Sequence, residues 1–381
     1  MATMSAAAAA AAMAALADQV RATGLAAGLG AVGMAEATPF AGTRAELERR
    51  KVAGLHGGMQ FTYRNPQRST DAAATLPGVR TLVVAARGYR RQPVPTGPAP
   101  AGRVARYAWE DHYAALRCGL DAVAAVLAEE AWEARVVLDD NALHDREAAY
   151  RAGLGWYGKN SNLLLPEQGS WFVLGSVLTD APLPTARAPE PDGCGPCRRC
   201  LDGCPTGAIV APGVVDARRC LAWLVQAEGP FPREFRVALD DRIYGCDDCQ
   251  EVCPPNRRAA QRPAPDAGPG AEPTVDLLGL LAATDTELLA RHGRWYVPRR
   301  DARYLRRNAL VALGNAARES DEAVLATLRR YLADPDPLLR AHATWAARRL
   351  GRDDLLDAVA EDRSDDVRTE LAAPAPPVRP R

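Results

Sequence analysis

Over the first half of the chain, short apolar runs alternate with amphipathic stretches. Leu82-Val83-Val84 and Arg135-Val136-Val137-Leu138 read as strands, and Asn162-Leu163-Leu164-Leu165 and Trp171-Phe172-Val173-Leu174 as two more. Between the first two, Tyr113, Leu116, Leu120, Val123 and Leu127 recur at the three-and-four spacing of one buried helix face. Strands apolar throughout and set between helices predict a sheet covered on both faces, hence an α/β domain over residues 1–185. Ligands of such sheets gather beyond strand ends, where Asp139 and Asp140 stand. Two adjacent acids at a strand end also suit an ordinary turn.

Two breaks divide the remainder of the chain. The stretch 185–193 (TARAPEPDG) sets off a second domain at 186–258, and the Pro-, Gly- and Ala-rich stretch 259–273 reads as an exposed linker to a third at 274–372. The third is helical and weakly repetitive. Tyr304 to Leu310 leads to Leu313-Gly314, and Leu338 to Ala343 leads to Leu350-Gly351, an offset of 37 residues. Asp334-Pro335-Asp336-Pro337 ends one helix and starts the next, and Asp366-Val367-Arg368 begins a further unit. Paired helices near this period are HEAT-like. Beyond Ala372 the tail APAPPVRPR is expected to be unstructured.

Charge changes this picture in one place. The chain balances 47 Lys+Arg against 47 Asp+Glu, so no global field draws it to nucleic acid. Between Arg291 and Gly351, however, thirteen Arg face six Asp+Glu. Arg299, Arg300, Arg303, Arg306 and Arg307 form the densest cluster and point to phosphate contact with RNA, a solvated helix face being the plain alternative. No run approaches a spanning helix, so no membrane partner is expected. The Ala6–Ala12 run has no basic residue before it and reads as a helix start, not a signal peptide.

Nine cysteines carry the chemistry. Cys118 lies off the apolar helix stripe and reads as a bystander; the other eight fall within 60 residues. Clustered cysteines in a chain without a secretory signal point to metal ligation. Cys194-x2-Cys197-x2-Cys200-x3-Cys204-Pro205 has the bacterial ferredoxin spacing, in which three thiolates hold one [4Fe–4S] cube and the fourth serves another. Pro205 is expected in a first helical turn. Cys246-x2-Cys249-x3-Cys253-Pro254 repeats the ending, with Cys220 as its displaced first ligand. The crossing rule gives Cys194, Cys197, Cys200 and Cys253 to one cluster and Cys204, Cys220, Cys246 and Cys249 to the other. A zinc ribbon is the rival for paired Cys-x2-Cys.

Two cubes make an electron wire that needs a terminus. Gly28-Leu29-Gly30-Ala31-Val32-Gly33 has the dinucleotide glycine spacing, yet it follows an Ala-rich helical stretch where a strand is required. The acceptor is therefore expected to be another cofactor or a substrate in the α/β domain.

Arg151-Ala152-Gly153-Leu154-Gly155-Trp156-Tyr157-Gly158-Lys159-Asn160, then Gly169-Ser170-Trp171-Phe172, Cys204-Pro205-Thr206-Gly207-Ala208-Ile209 and Ile243-Tyr244-Gly245-Cys246-Asp247-Asp248-Cys249-Gln250, resemble the tRNA epoxyqueuosine reductase family. The similarity runs from about His56 through most of the chain. It implies an α/β cobalamin-binding reductase domain, a ferredoxin-like two-cluster domain and HEAT-like helices. It also implies a cytoplasmic enzyme reducing epoxyqueuosine to queuosine at the wobble position of tRNA, binding the anticodon stem-loop and fed by an unidentified electron donor. A monomer is expected.

By this resemblance Asp139 is the proton donor, with Asp140 where a small hydroxyl residue is usual. Tyr107, Asn160, Asn162, Ser170, Trp171, Gly175, Asp247 and Asp139 itself lie in segments matching the cobalamin site. Lys159 reads as a phosphate or substrate contact or a solvated loop residue, and His56 as part of a tight turn. No Asp-x-His-x-x-Gly motif supplies a histidine for cobalt. Two rivals remain at this level: a reductive dehalogenase-like enzyme acting on a small molecule, and an electron-transfer module that only docks a partner.

Overall fold

The computed structural model describes residues 5–92, 100–185 and 189–378. Its contacts fall into two compact units whose segments interleave along the chain. The first takes the chain up to Gln92, then Asp111–Asp216 and Asp248–Asp266. The second takes the stretch ending at Glu110, then Ala217–Asp247 and the chain from Ala267 onward.

The first unit is built on a four-stranded sheet of β1 (Ala31–Glu36), β2 (Thr81–Gly88), β3 (Ala134–Val137) and β4 (Phe172–Thr179), in the order β1-β2-β4-β3. Every neighbouring pair is antiparallel. Apolar side chains fill both faces of the central strands, because successive residues point to opposite sides and both sides are covered. On one face Leu82, Val84, Leu174 and Leu178 pack with Ala148 and Ala149 of the helix Asp145–Arg151. On the other lies the helix His112–Glu129, whose Leu116, Leu120, Val123 and Leu127 are buried, as the spacing indicates. Cys118 is exposed.

Three features depart from the pattern. Strand β1 carries no long apolar run, because Gly33 interrupts it; a Cβ there would sit 2.5 Å from the Ala152 carbonyl, so close helix packing excludes a side chain. The Leu163–Leu164 strand lies outside the main sheet and pairs with Trp156–Tyr157 in a small hairpin. Gly28 and Gly30 connect a helix (Ala6–Ala26) to a strand, the reverse of a dinucleotide turn.

In the second unit Arg242–Tyr244, Ala101–Val104 and Thr274–Asp276 form a three-stranded sheet. Its core runs from Val104, Phe231 and Ile243 into Leu310 and Trp345 of the C-terminal helices. These helices are Arg303–Ala316, Glu322–Leu332, Pro337–Arg349 and Asp365–Ala372. Asp336 caps the third through the Leu338 N–H, and Pro337 opens it at the position where its missing N–H costs nothing. The described part of the tail forms no helix or strand, and arginines of the second unit reach its carbonyls. Arg348 donates to the Ala373 carbonyl at 2.9 Å, and Arg233 and Arg349 donate to those of Pro374 and Pro377. Proline-rich chain has carbonyls but few N–H donors, so arginines are its natural fasteners.

Candidate functional site

All nine cysteines are free thiols. In the first unit, Cys194, Cys197 and Cys200 follow one another along a loop into the short helix Arg199–Asp202, and Cys253 caps the helix Pro254–Ala260. These four thiols are near enough to influence one another electrostatically. Burial pushes the Cys253 thiol up to about 11, with Cys200, Cys194 and Cys197 adding their negative charge. Cys200 is raised by burial and then by Cys194 and Cys197. Such mutual repulsion is relieved when a polycationic centre takes the thiolates. Cys204 Sγ accepts the Ala208 N–H at 3.2 Å. Pro205 does not open a helix: it sits in a turn whose Gly207 takes φ +59°, while Pro254 does start one. Only the second Cys-Pro meets a continuing helix.

A buried polar network ties this cysteine-bearing segment to the sheet domain. Ser170 donates its hydroxyl to Gln250 at 2.8 Å and its N–H to Asn256 Oδ1 at 2.6 Å. Asn256 donates back to Ser170 Oγ and to the Gln250 carbonyl, each at 2.9 Å. Gly169 must be glycine here, since a Cβ would lie 1.8 Å from Asn256 Oδ1. Asn160 joins from the hairpin loop, its amide reaching the Cys249 carbonyl at 3.4 Å and its Oδ1 taking the Asn162 N–H. Trp171 stands edge-on to Tyr89. Thus Asn160, Asn162, Ser170 and Trp171 are brought to one region. Asn256 and Tyr89 were not legible as members; a polar residue three places after the last cysteine was the available signal.

Asp139 leaves the end of β3 with φ +50°, a conformation disfavoured for a residue with a side chain. Register places Val137 opposite Ser176, and Gly175 leaves room for Leu138, so the strand carrying Gly175 runs past this exit. Asp139 is exposed, yet enough protein surrounds it that desolvation, followed by Asp140 and Asp111, pushes its carboxyl up to about 6. Asp140 accepts the Ala142 N–H at 2.6 Å, which fixes the turn and keeps its charge beside Asp139. Asp145 adds a third carboxyl, raised by burial and then by Asp140 and Asp139. Strain and a raised pKa at one accessible carboxyl are marks of an acid–base group.

In the second unit Tyr107 and Asp247 are also neighbours. Gly245 takes φ +72°, and a Cβ on it would approach the Tyr107 ring to 3.0 Å. Asp247 accepts the Arg106 N–H at 2.7 Å. Cys220 and Cys246 belong to this unit, Cys204 and Cys249 to the first.

Arg307 corrects the sequence reading. It is wholly buried and does not face solvent; it donates to the carbonyls of Leu224, Val225, Ala227 and Gly229 and to Asn308 Oδ1. Asn308 in turn holds the Val225 and Ile243 carbonyls. The pair thereby fastens the backbone after Cys220 to the strand before Cys246. Burial draws the Arg307 pKa down to about 9, still well above neutrality, so the guanidinium stays charged. The other four arginines reach the surface in differing degree. Arg299 pairs with Glu228, Arg300 with the Gly293 carbonyl, Arg303 with Asp301 and Asp336, and Arg306 with Asp285 and the Ala283 carbonyl. Arg303 and Arg306 line an open groove of about 410 Å³ that also holds Asp285, Asp301, Asp334 and Asp336.

These features define an iron–sulfur protein in which a double-cluster segment is joined to a mixed helix-and-strand framework. The 4Fe-4S double cluster binding domain family matches residues 193–256. The chain is 33% identical over 342 residues to an epoxyqueuosine reductase of Bacillus cereus, covering 87% of this chain and 88% of that protein. It is 36% identical over 320 residues to the Pseudomonas aeruginosa enzyme, covering 81% and 87%. A crystal structure of epoxyqueuosine reductase with an epoxyqueuosine-modified tRNA-Tyr stem loop superposes with a TM-score of 0.84 at 29% identity, over 94% of this chain and 97% of that one. The chain belongs to the epoxyqueuosine reductase family. Among the described residues no helix is long and apolar enough to cross a membrane.

Proposed function

We propose that this protein reduces epoxyqueuosine to queuosine at the wobble position of tRNA, using cobalamin and two [4Fe–4S] clusters, in the cytoplasm. The observation that carries the reading is the match, over nearly the full chain, to a reductase solved with the modified stem loop. Removing the epoxide oxygen as water takes two electrons and two protons. When bound, the clusters supply the electrons and the corrinoid supplies a low-valent cobalt nucleophile that the epoxide carbocycle can engage.

The residues fit that pair of cofactors. The first cluster takes Cys194, Cys197, Cys200 and Cys253, and the charges of the first three raise the Cys253 thiol further beyond what burial does. The second takes Cys204, Cys220, Cys246 and Cys249, a set that rests on the spacing and the family. For the corrinoid the fit is the exposed Asp139 carboxyl just past the end of β3, with Gly175 beside Leu138 on the neighbouring strand and a pKa raised to about 6, so that a fraction of it stays protonated near neutral pH. Tyr107, Asn160, Asn162, Ser170, Trp171 and Asp247 complete the corrin surroundings. Ser170 and Asn160 do so chiefly through backbone placement, since their side chains are held by Gln250, Asn256 and Cys249.

Asp139 is the acid. An alkoxide leaves poorly at neutral pH, and a carboxyl with a pKa of about 6 holds a proton where an ordinary aspartate does not. Burial is the main reason, and the neighbouring charge of Asp140 adds to it, so the unusual second acid assists the role. The C-terminal helices form a HEAT-like array, and Arg299, Arg300, Arg303 and Arg306 contact tRNA phosphates. Arg307 is withdrawn from that set.

Anaerobic reconstitution tests the cofactor assignment. Iron near eight per chain with one corrinoid bound supports it; stoichiometric zinc, or full iron with no corrinoid affinity, refutes it. A loaded protein that turns over aryl halides but ignores the modified stem loop would instead favour the dehalogenase-like reading.

A further inference from the structure

Lys159 stands in the hairpin loop of the first unit, and its ammonium does not project freely into solvent. It donates to the Gly195 carbonyl at 2.6 Å and to the Cys197 carbonyl at 3.0 Å, both in the loop that carries the first three thiolates. The two other cations of this stretch behave differently. Arg198 is two-thirds exposed and turns to Asp202, and no partner fixes Arg199 toward the loop among the hydrogen bonds of the described residues. One cation is therefore held against the cysteine loop by two hydrogen bonds.

We infer that Lys159 is a positioning residue that sets the reduction potential of the cluster on Cys194, Cys197, Cys200 and Cys253, holding it more positive than the loop alone would. The inference rests on that ligand assignment. A cube bound by four thiolates is already anionic and becomes more so on taking an electron, so a fixed positive charge nearby favours the reduced form. Hydrogen bonding acts in the same direction. In a planar trans peptide the N–H lies opposite the C=O, so capturing the Cys197 carbonyl turns the Arg198 N–H away from the lysine. Polarising that peptide strengthens its N–H as a donor. The short bond to Gly195 also holds open a turn whose φ is +46° and whose next residue, Pro196, has no N–H of its own to anchor it.

The test is an anaerobic redox titration of the reconstituted full chain, followed by the electron paramagnetic resonance of the reduced clusters. Lys159→Gln keeps a donor amide and removes the charge, whereas Lys159→Arg keeps the charge. The expectation is that one cluster's midpoint falls in the Gln variant by enough to change the reduced-to-oxidised ratio about tenfold at fixed potential, which is 59 mV for one electron. The other cluster should not move, and the Arg variant should titrate like the parent. Equal midpoints for parent and Gln variant, with iron fully retained, overturn the inference. Loss of iron in the Gln variant alone overturns it too, because the lysine would then serve assembly. A parent chain that holds no iron on these cysteines refutes the ligand assignment itself, a separate and prior failure.

Discussion

Replacing Arg307 by Met separates a structural arginine from a phosphate contact. Four carbonyls lose the guanidinium, but those of Leu224 and Val225 each keep a second donor, the Ala227 N–H and the Asn308 amide, whereas those of Ala227 and Gly229 lose the donor that Arg307 supplied. A buried acceptor stripped of its partner costs about 1–3 kcal/mol. The Ala227 and Gly229 carbonyls are the acceptors stripped, and together they amount to roughly 2–6 kcal/mol. Against this, Met fills the space without the desolvation that draws the guanidinium pKa down. The balance is a loss of about 3 kcal/mol, which opens the local segment on the order of 100-fold more often. Hydrogen exchange read by mass spectrometry over residues 221–231 should show that rise. Iron should fall below eight per chain, since Cys220 begins the loosened stretch. Arg303→Met, at a side chain 44% exposed and paired with Asp301 and Asp336, should cost under about 1 kcal/mol and leave exchange there unchanged. Equal exchange in the two variants, or a reduced salt dependence of RNA binding in the Arg307 variant with its fold intact, would refute the reasoning.

The same geometry sets further outcomes. Asp139→Asn should retain iron and corrinoid yet lose at least about 100-fold in turnover, the usual worth of a placed general acid; near-parental single-turnover rates would remove its role. Because the Asp139 pKa is raised to about 6, its proton is present below that pH and lost above it, so kcat/KM should decline tenfold per pH unit beyond pH 6; a flat profile from pH 5 to 8 contradicts this. Asn256→Leu strips the buried Ser170 N–H of its acceptor and takes one donor each from Ser170 Oγ and the Gln250 carbonyl, and should lower stability by about 1–3 kcal/mol, seen as a depressed thermal midpoint. Double replacement of Arg299 and Arg303 by Ala should flatten the salt dependence of stem-loop binding by about two charges while leaving the fold intact; an unchanged slope excludes both as phosphate contacts.

What the sequence made legible is what local chemistry dictates. The helix of Leu116, Leu120, Val123 and Leu127, the strands around Val83 and Val136, and the Asp336-Pro337 helix start all depend on near neighbours, and each formed as read. The cysteine spacing carried the cluster segment because ligand geometry acts over a few residues. Long-range choices were not legible. That the sheet is antiparallel depends on which strands meet, and β1 was hidden because its glycine answers to the Ala152 helix. The arginine cluster misled for a similar reason. Charge density along a sequence does not distinguish Arg303 at the surface from Arg307 in the core, four residues on and directed into a loop about 80 positions earlier. Lys159 likewise gave no sign that its partners would be carbonyls 36 and 38 residues away.

The most direct measurement is turnover by the anaerobically loaded protein on an anticodon stem loop bearing epoxyqueuosine, with a low-potential reductant, followed by nucleoside mass spectrometry. The expected product is queuosine, lighter than its precursor by one oxygen, formed by the parent and not by Asp139→Asn. Unchanged epoxyqueuosine after incubation with protein holding both clusters and the corrinoid would contradict the proposed activity.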